Sequence, residues 1–307
     1  MSTKEQLLAL FEKNRGQSIS GESIAEQFGV SRNSIWKAIK ELKAAGYNIS
    51  AVRNKGYCFN EDNDILSVQG ILPFLSSEEY AEKITIFDTL NSTNQRAKEL
   101  ALDGADHGTV VVAEKQTEGK GRFGRQFYSS PHGGIYLSII MHPEKTIYET
   151  LTPITAFAAV LVCEAIEAVS GKSPQIKWVN DIYLDGKKIC GILTEAITDI
   201  ESGSIQWIVI GIGINFNIKN DDFPKDLRLR AGSIFSDEST SPSRNHLIAE
   251  IINRFEEYSV SYTTAEILEE YKKRLMMLGD AVLVTSENES YQALAAEMNV
   301  TLSNASG

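Results

Sequence analysis

The chain has 307 residues, a formal net charge of -11 and 42% hydrophobic residues, enough for two or three domains around a sizeable buried core. Cys58, Cys163 and Cys190 are scattered without metal or disulfide spacing, and the four histidines form no ligand pair, so no metal centre is expected. Charge is unevenly divided: residues 1–60 hold nine Lys/Arg against five Asp/Glu, and the remainder holds twenty-one against thirty-six, so a mildly basic module precedes an acidic body.

The first apolar residues alternate with Lys4, Glu5, Glu12 and Lys13, as in an amphipathic helix and unlike a secretory leader. The longest apolar stretch, residues 156–169, carries Glu164 and Glu167 and reads as too short and too charged to cross a bilayer. The expectation is a soluble protein of the reducing cytoplasm.

Residues 5–13 are predicted helical, with Leu7, Leu8, Leu10 and Phe11 apolar; residues 22–28 form a second short helix, and residues 32–45 a third. Ser20 and Ser31 stand as N-caps, and Gly46 as the glycine just past a helix end. Ile35, Ile39 and Leu42 turn one face of the third helix into a core. Arg32, Asn33, Trp36, Lys37 and Lys40 lie toward its other faces, the layout of a helix-turn-helix whose recognition helix enters the major groove. Residues 47–59 read as a two-stranded wing with Arg53, Asn54, Lys55 and Gly56 at the tip. A module of this kind binding only protein, with a solvated basic face, stays open on these residues alone. The acidic run 60–64 reads as linker.

The central region mixes elements without strict alternation: a helix at 93–102, a buried strand at 110–113 and a long amphipathic helix at 155–169. That pattern indicates an α+β class. Gly119-Lys120-Gly121-Arg122-Phe123-Gly124-Arg125 joins a permissive backbone to three cations, a loop able to close over a phosphate. Its glycine spacing would suit a dinucleotide fingerprint, but a strand-like run at 135–140 follows where a helix is needed, and Arg125-Gln126 stands where a P-loop needs Lys-Ser/Thr. A solvated basic turn is the bland alternative. Residues 177–193 read as strand, tight Asp185-Gly186 turn, strand. Gly211 and Gly213 alternate at the end of the apolar strand 207–210, which suggests a ligand lying against the backbone.

Residues 91–94, 116–125, 177–191 and 211–215 together resemble, in order, the motifs of bifunctional biotin protein ligases that also act as biotin operon repressors. The resemblance implies an N-terminal winged helix-turn-helix at 1–60, a linker at 61–67, a mixed-sheet ligase domain of the biotin/lipoate ligase type at 68–278, and an incomplete C-terminal SH3-like β-barrel at 279–307. It also implies a reaction. Biotin and ATP, with Mg2+, give biotinyl-5'-AMP, and a lysine of a biotin carboxyl carrier domain then attacks the mixed anhydride; operator DNA and a ligand-promoted homodimer are the implied partners of the repressor.

By the same resemblance, Lys188 offsets repulsion where the carboxylate meets the α-phosphate, Asp181 orients or deprotonates the acceptor lysine, and Arg122 is the third catalytic residue. Biotin contacts fall to Ser92, Thr93, Asn94, Gln116, Gly119, Lys120, Gly121, Arg122, Lys188, Gly191, Gly211 and Gly213. Nucleotide contacts fall to Arg122, Arg125, Lys177, Trp178, Asn180 and Asn215, and DNA contacts to Arg32, Asn33, Trp36, Lys37, Lys40, Arg53 and Lys55. Lys120 stands where arginine is expected, which keeps charge but not bidentate geometry. Phe223-Pro224 matches a second loop whose aromatic packs on adenine. Residues 278–285 begin the barrel, and the Ser/Asn-rich end 303–307 reads as frayed or cut. Two other functions remain open: a ligand-sensing transcription factor without ligase activity, and a lipoate or octanoate transfer enzyme.

Overall fold

Three helices and a three-stranded sheet open the chain. Helix α1 (Thr3–Lys13) starts on a Ser2/Glu5 capping box, α2 (Gly21–Phe28) on Ser20, and α3 (Arg32–Ala44) on Ser31, which accepts from the Ser34 amide. Gly29 ends α2 in the left-handed region at φ 64°. Strand β1 (Ser18–Ile19) pairs with β3 (Gly56–Phe59), which pairs with β2 (Ile49–Val52) to form the wing. Leu7, Phe11, Ile24, Ile35, Leu42 and Phe59 fill one core beneath them. Arg32, Asn33, Lys37 and Lys40 lie on the exposed face of α3, and Arg53 and Lys55 at the exposed wing tip. Trp36 is exposed beside Lys40, whose Nζ is 5.5 Å from the indole centroid.

The computed structural model describes residues 2–130, 132–142, 151–198, 201, 204–235, 242–261, 263–285 and 290–295. Within it the acidic run after the wing is not a loose tether. Asn48 N–H donates to Asn63 Oδ1 (2.6 Å), Asn63 Nδ2 returns to Asn48 O (2.9 Å), and Arg15 donates to Asn63 O (2.8 Å). Arg244, 2% exposed, bonds Asp64 Oδ2 at 2.8 Å, Asp64 O at 2.6 Å and Glu114 Oε1 at 2.7 Å. Burial alone would lower the Arg244 pKa, but these carboxylates outweigh it and raise it. Composition reads such a stretch as solvated because its fixing partner lies far away in sequence.

After the short helix α4 (Val68–Ile71) come β4 (Ile84–Leu90), β5 (Val110–Gln116), β6 (Gly134–Met141), β7 (Gln175–Lys177), β8 (Asp181–Leu184), β9 (Lys187–Thr198) and β10 (Ile205–Asn215), which form a seven-stranded sheet in the order β4-β5-β6-β10-β9-β8-β7, with β4 and β5 parallel and every other pair antiparallel. The parallel pair is joined through α5 (Thr93–Leu102), since parallel neighbours need a crossover. Strand alternation divides the rest. In β6 (Gly134–Met141), Ile135, Leu137, Ile139 and Met141 enter the main core; in β10 (Ile205–Asn215), Ile208, Ile210, Ile212 and Ile214 do so. The other face of these strands carries Tyr136, Ser138, Gly211, Gly213 and Asn215; among the described residues, α5 packs on it and Phe127, just after the glycine-rich loop, lies over Gly213.

Helix α6 (Leu151–Ser170) fills the main core against α7 (Arg244–Ser261) and α8 (Thr264–Arg274). It is longer than the 155–169 expected and is buried nearly all round rather than amphipathic: Phe157 through Cys163 are all inaccessible. The segment Pro153–Ser170 is thus long and apolar enough to span a membrane, contrary to the reading from its charges, but 67% of it is buried inside the protein. Its two glutamates are matched by cations, Glu164 by Arg254 (3.0 Å) and Glu167 by Arg274 (3.1 Å). At the C-terminal end, β11 (Ala281–Thr285) and β12 (Ser290–Leu294) make an antiparallel hairpin. The rest of the expected barrel and the 303–307 end lie outside the described residues.

Candidate active site

Register across the sheet builds a trough on the face opposite α6. One lateral row is Ser138, Gly211 and Leu193; the next is Tyr136, Gly213, Gly191 and Asp181. Adjacent rows lie two residues apart, about 7 Å along a strand. Three glycines in seven positions remove the side chains that would otherwise fill this face. All three lie under side chains. A Cβ at Gly211 would collide with Asn94 Oδ1, and one at Gly213 would lie 2.6 Å from the Phe127 ring. Gly211 therefore makes room for Asn94, itself one of the expected biotin contacts.

At the first row the start of α5 meets the end of β5. Ser92, Thr93 and Asn94 are buried. Ser92 occupies the N-cap position without a side-chain capping bond. Thr93 N–H and Oγ1 both donate to Gln116 Oε1, at 2.8 and 3.2 Å. Ser138 Oγ lies 2.8 Å from Thr93 Oγ1 and 2.7 Å from Asn94 Oδ1. Asn94 Nδ2 donates to Leu193 O (3.2 Å) and Glu195 Oε2 (2.7 Å). This is a buried, internally bonded set of amides and hydroxyls, the kind of surface that recognises an uncharged polar group.

The second row ends in charge. The Asp185-Gly186 turn, both residues at positive φ, sends β8 (Asp181–Leu184) into β9 (Lys187–Thr198) as expected for a tight hairpin. Lys188 folds back so that its Nζ lies 2.6 Å from Asp181 Oδ1 and close to the Gly191 surface, while Lys187 goes to the other side, against Gly232. Asn180 Nδ2 donates to Ile192 O (2.9 Å), and its Oδ1 accepts from Arg122 (3.2 Å), which brings the loop to the hairpin. Asn215 Nδ2 donates to Gly232 O (2.9 Å).

The glycine-rich loop closes as a small hairpin: Lys120 bridges Gln126, and the Gly121 amide donates to Arg125 O (2.7 Å). Gly119 is buried beside Gln116, whereas Lys120, Arg122 and Arg125 stay exposed at the loop edge. Lys177 sits over the Tyr183 ring at 5.5 Å. Trp178 is 48% exposed, edge-on to Tyr271, so it is a surface aromatic rather than core. Phe223 is buried against Tyr128, with Tyr128 OH donating to Asp222 O (2.9 Å); the second loop is therefore tied to the first by protein contacts.

Comparison with known proteins gives this geometry its context. Residues 86–215 match the Biotin/lipoate A/B protein ligase family, and residues 3–58 match an HTH domain. A bifunctional ligase/repressor of Bacillus spizizenii is 38% identical over 85% of this chain and 79% of its own length. This chain belongs to the bifunctional ligase/repressor family. The Escherichia coli bifunctional ligase/repressor is 30% identical over 66% of this chain and 61% of its length. A biotin protein ligase from Aquifex aeolicus, solved with biotin and ATP, superposes with a TM-score of 0.56 at 25% identity, covering 68% of this chain and 84% of that one. The fold is accordingly an N-terminal helix-turn-helix followed by the mixed sheet of the biotin protein ligases.

The residues expected from sequence patterns fall at both ends of the trough, and they do not include Phe127, Ser138, Glu195 and Lys98. Phe127 follows the glycine-rich loop, and its ring lies over Gly213 and Gly191. Its signal was present as the first aromatic after the cations. Ser138 had a signal too, being the one serine in a central strand that is otherwise apolar apart from the Tyr136 hydroxyl, fully buried. Glu195 and Lys98, paired at 2.6 Å, are 97 residues apart, and nothing local joins them.

Proposed function

We propose that this chain joins biotin to ATP as biotinyl-5'-AMP, transfers the biotinyl group to a lysine of a biotin carboxyl carrier domain, and represses transcription by binding operator DNA as a ligand-promoted dimer. The observation carrying the ligase reading is the joining, on one glycine-lined sheet face, of a buried uncharged polar pocket to a cationic end containing Lys188 and Arg122. Biotin has that division, an uncharged ureido head and an anionic carboxylate.

In the proposed first step, a carboxylate oxygen forms a bond to the α-phosphorus while the bond to pyrophosphate breaks. Lys188 and Arg122 supply fixed positive charge where two anions meet, with Lys120, Arg125 and Lys177 along the phosphate path. Mg2+ enters with the nucleotide: no group of three or more His, Cys, Asp or Glu suited to a metal occurs among the described residues, and magnesium commonly keeps phosphate and water ligands with few carboxylates. In the second step, the acceptor amine bonds the acyl carbon, AMP leaves with the bonding pair, and Asp181 takes or directs the amine proton. Trp178, Asn180 and Asn215 line the nucleotide side; Thr93, Asn94 and Gln116 hold the head.

The exposed set Arg32, Asn33, Trp36, Lys37 and Lys40, with Arg53 and Lys55 on the wing, supports the operator-binding half. Incubation with ATP, magnesium, biotin and a carrier domain tests the ligase: the carrier is expected to gain one biotinyl group by mass. A carrier left unmodified under saturating substrates would refute that assignment. Footprinting with and without biotinyl-5'-AMP tests the repressor, with ligand-dependent protection of paired half-sites expected.

A further inference from the structure

The Asn94 amide has only one orientation that its surroundings accept. Leu193 O is a carbonyl and can only accept. The Glu195 carboxyl resists ionisation by burial, but donors from Lys98 and Asn94 and the charges of Lys98 and Lys120 outweigh this and lower its pKa, so near neutral pH it too only accepts. Nδ2 therefore faces these two oxygens, and Oδ1 faces Ser138. The Gln116 amide is fixed by the same logic, since Thr93 N–H is an obligatory donor and must meet Oε1.

Between these two fixed amides lie two hydroxyls with one hydrogen each. Thr93 turns its hydrogen to Gln116 Oε1, and Ser138 has Asn94 Oδ1 at 2.7 Å to receive its own. Thr93 Oγ1 then keeps lone pairs for an incoming donor. Among the described residues, no acceptor is bonded to Gln116 Nε2. The pocket thus presents an acceptor and a donor side by side, complementary to an –NH–C(=O)– edge.

We propose that Glu195, held by Lys98, is a positioning residue for substrate specificity: by forcing Asn94 Oδ1 toward Ser138, it keeps Thr93 Oγ1 available as the acceptor for a ring N–H of the ligand. This rests on the biotin reading above. Glu195 touches no reacting atom. In Glu195→Gln, the new amide can keep its oxygen on Lys98 and turn its N–H to Asn94, which leaves only the longer 3.2 Å bond to Leu193 O against the turn-over of Asn94; in the turned-over state Nδ2 faces Ser138, whose hydrogen is then committed to Thr93 Oγ1. A lone pair meant for the ligand is consumed.

Calorimetric titration of the full chain with biotin and with its two cyclic-carbamate analogues, each replacing one ureido N–H by oxygen, separates positioning from mere support. The wild type is expected to prefer biotin to one carbamate by about tenfold, the scale of one lost hydrogen bond. In Glu195→Gln that preference falls to about twofold, because biotin weakens while that carbamate does not. Lys98→Met, at a partly exposed position, is expected to give a smaller change in the same direction. A Glu195→Gln variant that weakens biotin and both carbamates equally, or that leaves biotin binding unchanged, would overturn the proposal. Failure of the wild type to bind biotin would instead remove the reading beneath it.

Discussion

At one end of the trough Thr93, Asn94 and Ser138 are buried and bonded to one another; at the other, Lys120, Arg122 and Arg125 stand in solvent on a loop closed mainly by its own backbone. The contrast follows from what each end is proposed to bind. An uncharged head gives up water only where donors and acceptors already wait in position, since each net hydrogen bond contributes about 1 kcal/mol and an unmet one costs more. An anion is drawn by charge over longer range, and its partners stay solvated until it arrives. Lys188 stands between the two regimes, half-buried and pinned at 2.6 Å to Asp181.

The largest expected effect tests whether the two ends are separable. Lys188→Ala is expected to slow single-turnover adenylation by about 2–4 kcal/mol of transition-state stabilisation while biotin affinity moves no more than about threefold. Rapid-quench measurement beside calorimetry checks it, and an equal loss in both would assign Lys188 to the head pocket and erase the division. Gly211→Ala perturbs the opposite end. Its Cβ meets Asn94, so biotin binding should weaken by about 1–3 kcal/mol, the usual scale of overpacking, with the KM for ATP unchanged. If ATP dependence shifts as well, the ends share more than a sheet.

Arg122→Gly comes next, with biotinyl-5'-AMP expected to dissociate about tenfold faster, or about 1.4 kcal/mol, in a chase experiment, and biotin alone held nearly as before. Smallest is Arg32→Ala, which should weaken operator binding by about 1 kcal/mol in a titration at fixed salt and leave ligation at its wild-type rate, since Arg32 belongs to neither end. A change in ligation would show that the reading helix and the trough communicate without DNA.

Much of this was legible in the residues because it is local. Ser20 and Ser31 announce helix starts, Asp185-Gly186 announces a hairpin, and Gly211 and Gly213 announce a bare strand face. What each glycine makes room for was not legible. That depends on the register between paired strands, which sets Ser138 beside Gly211 and Gly191 beside Gly213. Glu195 escaped notice for the same reason, its partner Lys98 lying on a helix four strands earlier in the chain. The run 60–64 misled in a different way: its acidity signals solvation unless one knows that a buried guanidinium waits for Asp64.

That guanidinium has a further consequence. Arg244 clasps the backbone and side chain of Asp64 only five residues after the wing strand ends at Phe59, and Asn63 and Arg15 take up the slack between them. The reading helix is therefore mounted on the ligase sheet like a bracket rather than hung from a string. In a two-fold assembly the separation of the paired reading helices would be a dimension of the sheet-to-sheet contact, with little reach to spare. Inserting half a helical turn of DNA between half-sites should accordingly abolish cooperative binding instead of stretching it.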